Sequence, residues 1–134
     1  MLLLDASVWV AAKDGGDPFF QPARVLAVDP ALPVAALDLT LYEVANAIGV
    51  RQGRRQEAVD VCQLVTRRCG PHLLRADPDL IDAGLASAAE HGLTAYDASY
   101  VAAAQRYGWT LVSTDIRDLV SKGLAVTPDA ADYP

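Results

Sequence analysis

The sequence predicts an α/β fold, an α/β/α sandwich around a parallel sheet of about five short strands, in one domain spanning residues 1–134. Three observations predict it. Leu2-Leu3-Leu4 is apolar without alternation, the pattern of a strand buried on both faces, and Val34–Leu37 and Trp109–Val112 resemble it. Longer segments with helical spacing separate these runs, and strands alternating with helices assemble into parallel sheets. With 134 residues, 52% of them apolar, the chain can bury a core without staples and is too apolar for disorder.

Each element follows from local signals. Leu2–Leu4 is the first strand, and Ser7–Ala12 continues as a short helical turn. Lys13–Pro18, with Gly15 and Gly16, is a loop. Phe19–Val28 is a helix broken by Asp29-Pro30 and Pro33. Val34–Leu37 is the second strand. Leu39–Arg51 is a helix ending at Gly53. Arg54–Cys69 is another, with Ala58, Val61, Cys62 and Val65 at helical spacing, and it stops at Gly70-Pro71. His72–Arg75 is the third strand. Asp77-Pro78 opens a helix with proline in its first position, and the helix runs to His91. Thr94–Tyr107 is a helix closed by Gly108, and Trp109–Val112 is the fourth strand. Asp115–Lys122 is a short helix, Leu124–Thr127 the last strand, and the tail from Pro128 is expected to be loose.

Composition excludes several classes. The net charge is −6, from 17 acids and 11 bases, which argues against a purely electrostatic nucleic-acid binder. No apolar run approaches the roughly 18–20 residues that span a bilayer, and Met1 leads directly into a strand without a signal-peptide pattern. A cytoplasmic protein without membrane contact is expected. Cys62 and Cys69 lie seven apart on one helix, about 10 Å at the helical rise, too far for a disulfide. With only His72 and His91 besides, a zinc site is not expected.

Four acids are out of place on a purely structural reading. Asp5 ends the first strand and Asp115 follows the fourth, so both reach the carboxyl rim of the sheet, where such folds collect ligands. Glu43 shares a helix face with Leu39, Asn46, Ala47 and Val50, and Asp97 with Tyr100, Val101 and Ala104. Taken singly, each acid has a capping reading: Asp5 and Asp115 at helix starts, Glu43 and Asp97 in Thr40-x-x-Glu43 and Thr94-x-x-Asp97. Taken together, two strand-end acids and two inward helix acids exceed what capping requires. Buried charges need partners, and no Lys or Arg lies on those two helix faces. A shared cation meets that need. Carboxylates and hydroxyls without His or Cys suit Mg²⁺ or Mn²⁺, which hold substrate phosphates and acidify water. The chemistry indicated is phosphodiester hydrolysis, with Ser7, Asn46, Ser113 and Thr114 as supporting or phosphate-contact candidates.

The motifs Leu4-Asp5-Ala6-Ser7, Tyr42-Glu43-Val44-Ala45-Asn46-Ala47, Thr94–Ala104 and Leu111-Val112-Ser113-Thr114-Asp115 resemble those of PIN-domain ribonucleases, in particular the VapC-type toxins of bacterial toxin–antitoxin pairs. The resemblance runs from Met1 to about Val126, with Thr94–Ala104 its most specific piece. It implies a PIN-like domain with Asp5, Glu43, Asp97 and Asp115 as a catalytic quartet. Asp5 and Asp97 would be the main direct ligands of Mg²⁺ (or Mn²⁺), and Glu43 and Asp115 ligands directly or through water. Ser7, Asn46 and Ser113 would assist. It further implies a metal-dependent endoribonuclease leaving a 5′-phosphate, a homodimer, and a cognate antitoxin over the active-site groove. Lys13–Pro18 falls in the family's variable part, where it would help choose the RNA.

The remaining residues are read more plainly. Arg51, Arg54 and Arg55 cluster at a helix–helix corner, and Arg67 and Arg68 form a second pair; solvated helix ends and RNA contacts are both open for them. Trp9 and Val10 are expected in the core rather than as base-stacking platforms, and Tyr42 and Tyr96 to pack, with a dimer surface open for either. Two rival functions stand beside the nuclease. An aspartyl-nucleophile phosphatase expects a second Asp where Ser7 stands, and has only Lys13 and Lys122 to draw on. A non-catalytic partner-binding module would keep an acidic pocket without metal.

Overall fold

A strand apolar at every position must be covered on both sides, and β1 (Leu2–Leu4) is: its three leucines are at most 2% exposed. Leu2 and Leu4 face one cluster with Trp9, Leu26, Val61 and Val65, and Leu3 faces the other with Tyr100, Val101 and Ala103. The computed structural model describes residues 1–132. After β1 come α1 (Ala6–Ala11), α2 (Phe20–Val28), β2 (Val34–Leu37), α3 (Leu39–Val44), α4 (Arg55–Cys69), β3 (Leu73–Leu74), α5 (Pro78–His91), α6 (Ala95–Tyr107) and β4 (Thr110–Val112). The first cluster draws on α1, α2 and α4, the second on α6, so helices cover both faces of the sheet.

All strand pairings are parallel, in the order β3-β2-β1-β4. The chain builds outward from β1 through β2 to β3, then crosses back to place β4 on the other edge of β1. Strand order therefore reverses at β1, and such a reversal opens a crevice at the carboxyl ends of the strands. Asp5 and Ser113–Asp115 leave β1 and β4 into it.

The sheet has four strands where about five were expected. The last run makes a single parallel bridge, Val112 to Val126, through Ser113 N–H to Val126 O at 3.0 Å and Val126 N–H to Leu111 O at 2.9 Å. Pro128 stops further pairing, because it has no N–H and begins a 3₁₀ turn, Pro128–Ala130. That turn is not loose: Pro128 is buried and the turn packs on α2. Ala131 also packs against the core, and the last two residues of the expected loose tail, Tyr133 and Pro134, lie outside the described residues. Two helices are wider than expected. After α3 the chain continues in i→i+5 turns over Ala45–Arg51, and Ile116–Val120 winds the same way, with Val120 N–H on Asp115 O at 3.0 Å. Among the described residues, no helix is long and apolar enough to cross a membrane.

Candidate active site

Asp5 turns the chain from β1 into α1. Its carboxylate caps that helix, accepting the Ser7 N–H at 3.0 Å, and the Ser7 hydroxyl also donates to it. Ser7 Oγ in turn accepts the Thr114 N–H at 2.9 Å and lies 3.4 Å from Ser113 Oγ. Ser113, fully buried, accepts the Asp115 N–H at 3.0 Å. The ends of β1 and β4 are thus laced together by two hydroxyls. Asp115 caps the next turn by accepting the Asp118 N–H at 3.0 Å. Capping and membership of a site are compatible for both acids.

Asp97 comes from a helix start, whereas Glu43 lies near the end of α3. Thr94 Oγ1 accepts the Asp97 N–H at 3.2 Å, which sets Asp97 in the first turn of α6 as expected. Thr40 does not cap α3. Asp38 does, accepting the Leu39 N–H at 2.9 Å, and the Ala76 N–H beyond β3 also reaches it at 3.2 Å. Thr40 falls inside the helix, buried, with its hydroxyl 2.7 Å from that of Tyr100. The Tyr100 hydroxyl donates to Glu43 Oε1 at 2.7 Å.

Asp5, Glu43, Asp97 and Asp115 line one cleft of about 310 Å³, with Ser7, Thr114 and Tyr100 in its wall. The acids come from four separate parts of the chain. Burial pushes the Asp5 carboxyl up to about 6, and the Glu43 charge adds to the shift. Burial also raises Glu43, with Asp97 adding, and raises Asp97, with Asp115 and Asp118 adding. Among the described residues, no salt bridge reaches any of the four. Crowded carboxylates lacking a cationic partner, with hydroxyls and no His or Cys in the wall, are the donor set that a hard divalent cation fits.

Other groups reach the site that sequence reasoning left out. Carboxylate oxygens of Asp97, Asp115 and Asp118 lie within 4.8 Å of one another. Asp118 carries a readable signal, being three residues after a capping Asp. Tyr100, which shares the Asp97 face, also lines the cleft. Asp17 brings the Lys13–Pro18 loop to the cleft, and Val10, expected in the core, is half-buried in its wall. Bases are also nearer than the helix faces suggest: exposed Arg51 lines the cleft, and Lys122 moderates the shift of Asp97 while its Nζ donates to His91 O at 2.8 Å. Asn46 stands apart, exposed in an adjoining depression with Leu39, Tyr42 and Tyr96 that meets the cleft at Glu43. Tyr42 and Tyr96 are 82% and 61% exposed rather than packed. Arg68 is not a solvated helix end: it is half-buried and donates to four backbone carbonyls around the end of α2.

The chain is similar to known proteins over nearly its whole length. The PIN domain family matches residues 2–121. The chain is 34% identical over 132 residues to a protein of Pyrobaculum aerophilum named Ribonuclease VapC3, covering 95% of this chain and 98% of that one. It is also 34% identical over 122 residues to Exonuclease VapC9 of the same organism, covering 90% and 84%. Among solved structures, a chain of a toxin–antitoxin complex from Klebsiella pneumoniae superposes with a TM-score of 0.70 at 19% identity, over 96% of this chain and 98% of that one.

Proposed function

The chain belongs to the PIN-domain family, and we propose that it is a VapC-type endoribonuclease toxin that hydrolyses RNA phosphodiester bonds with Mg²⁺ or Mn²⁺. One observation carries this reading: carboxylates from four separate elements converge on a cleft without a basic side chain paired to any of them. Asp5 and Asp97 would hold the ion, and Glu43 and Asp115 would do so directly or through water. A divalent ion bound there supplies charge to offset the phosphate and lowers the pKa of a bound water.

The chain's own residues do the rest. Ser7 and Ser113 hold the strand ends so that Asp5 and Asp115 face the same space. Glu43, raised by burial, is suited to take a proton from a water in the cleft. Exposed Arg51 at the cleft supplies positive charge beside a path for the RNA backbone. A cognate antitoxin follows from the same reading, since the relatives carry a toxin family's name and the Klebsiella pneumoniae chain comes from a toxin–antitoxin complex; a homodimer is proposed on the resemblance to the family alone.

Cleavage by purified, antitoxin-free protein tests it. Total RNA and a circular RNA are incubated with Mn²⁺, with EDTA, and with Asp97→Asn in place of wild type. Linearised circles and discrete fragments from wild type with Mn²⁺ alone are expected. Trimming of linear RNA with circles untouched would favour the exonuclease behaviour named for one relative. Cutting that survives both EDTA and Asp97→Asn would overturn the metal site.

A further inference from the structure

Three side chains stand in line beside the cleft. Thr40 on α3 and Tyr100 on α6 are 0% and 1% exposed, and their hydroxyls are 2.7 Å apart. The Tyr100 hydroxyl is also 2.7 Å from Glu43 Oε1. An ionised carboxylate only accepts, and a phenol has one proton to give. That proton goes to Glu43, so Thr40 is the donor to Tyr100. The chain of bonds is polarised one way, Thr40 to Tyr100 to Glu43, and in a dry setting each bond strengthens the next.

A tie between α3 and α6 would be complete with Thr40 and Tyr100 alone. Here it continues to a third member, and that member is one of the cleft acids. Among the described residues, the Tyr100 bond is the one hydrogen bond that the Glu43 carboxylate receives from the protein. Glu43 sits on a flexible stem and is half-buried, so nothing else of this kind fixes its direction. We propose that Tyr100, backed by Thr40, is a positioning residue that aims the Glu43 carboxylate at the ion and the scissile phosphate. This role rests on the ribonuclease reading above. It resembles the outer partners that orient metal-binding side chains, whose loss weakens metal affinity or activity.

The test is Mn²⁺ titration by calorimetry, beside RNA-cutting kinetics, for wild type, Tyr100→Phe, Glu43→Ala and the double variant. Phenylalanine keeps the buried ring and removes only the hydroxyl, and a thermal melt checks the fold. Mn²⁺ binding about 10-fold weaker in Tyr100→Phe is expected, with kcat reduced and KM for RNA unchanged. The substitution should add nothing in the Glu43→Ala background, because Tyr100 acts through Glu43. Thr40→Val should show a smaller loss in the same direction, and it carries the test if Tyr100→Phe does not fold. A Tyr100→Phe protein that melts lower yet binds Mn²⁺ and cuts as wild type does would reduce Tyr100 to a helix tie. A loss that persists undiminished in Glu43→Ala would also overturn the proposal. Wild-type protein that neither binds Mn²⁺ nor cuts RNA would overturn the ribonuclease reading itself, and the positioning role with it.

Discussion

Asp5 caps a helix and also faces other acids in a nearly dry wall, and the second duty costs stability when no cation is present. Its carboxyl is raised from 3.8 to about 6, so the folded chain binds a proton more readily than the unfolded one. For such a group the contribution to stability is fully present below about 3.8 and is lost as pH rises through about 6. At neutral pH the metal-free protein carries a penalty of roughly 3 kcal/mol from this residue. Asp5→Asn keeps the capping oxygen and drops the charge. It should therefore be more stable than wild type in EDTA at pH 7.5, with the advantage shrinking toward pH 4.5, while RNA cutting is lost. Denaturant melts of both proteins across that range check the sign. Asp5, Asp97 and Asp115 were legible because capping places an acid at a fixed point of the chain. Tyr100 was not, because a tyrosine on an inward helix face has the pattern of core. Its acceptor lies 57 residues earlier, a separation at which no local spacing applies.

Helix ends show where local signals compete. Asp38 and Thr40 are both good caps, and the sequence offers no means of ranking them. The sheet does so, since Asp38 N–H bonds Leu74 O at 2.8 Å and its carboxylate takes the Ala76 N–H, both from the far side of β3. The end of α2 gives the converse case. It has no basic residue in its last turn, and Arg68 from α4 takes that place, bonding the carbonyls of Leu26, Ala27, Asp29 and Leu32 at 2.8–3.2 Å. Arg68→Ala should cost about 2–4 kcal/mol, since it orphans several acceptors of a charged donor at once. Lysine there should recover only part of the loss, lacking the planar fork. Chemical denaturation measures both, and RNA cutting per folded molecule should stay at the wild-type level, because Arg68 does not line the cleft.

At the scale of the whole molecule, binding of an ion should invert the pH behaviour. Burial, and to a lesser degree mutual repulsion, raises Asp5, Glu43 and Asp97; Mn²⁺ bound among them would supply the missing countercharge, so it should stabilise the protein by about 2.7 kcal/mol at a hundredfold excess over its Kd. That gain should shrink as pH falls toward 6, where protons compete for Asp5. Thermal melts with Mn²⁺ and with EDTA at pH 7.5 and 6 give the comparison. The fold class was legible because strand and helix periodicities differ and the elements are short and well punctuated. The missing fifth strand was not: Leu124–Thr127 is apolar enough, and only the place of Pro128 against β4 shows that pairing ends after one bridge.

The position of β1 has a consequence in time. It precedes β4 in the chain, and it lies in the middle of the sheet with β4 as one neighbour. Until Thr110–Val112 has been synthesised, that edge of β1 is bare, and Ser113, Thr114 and Asp115 do not yet exist to complete the cleft. A growing chain that has not reached β4 therefore has an unfinished cleft, and the four acids can meet only once Asp115 has been made. A chain stopped at Gly108 should accordingly neither bind Mn²⁺ as the 134-residue chain does nor cut RNA, and extending it through residue 126 should restore both.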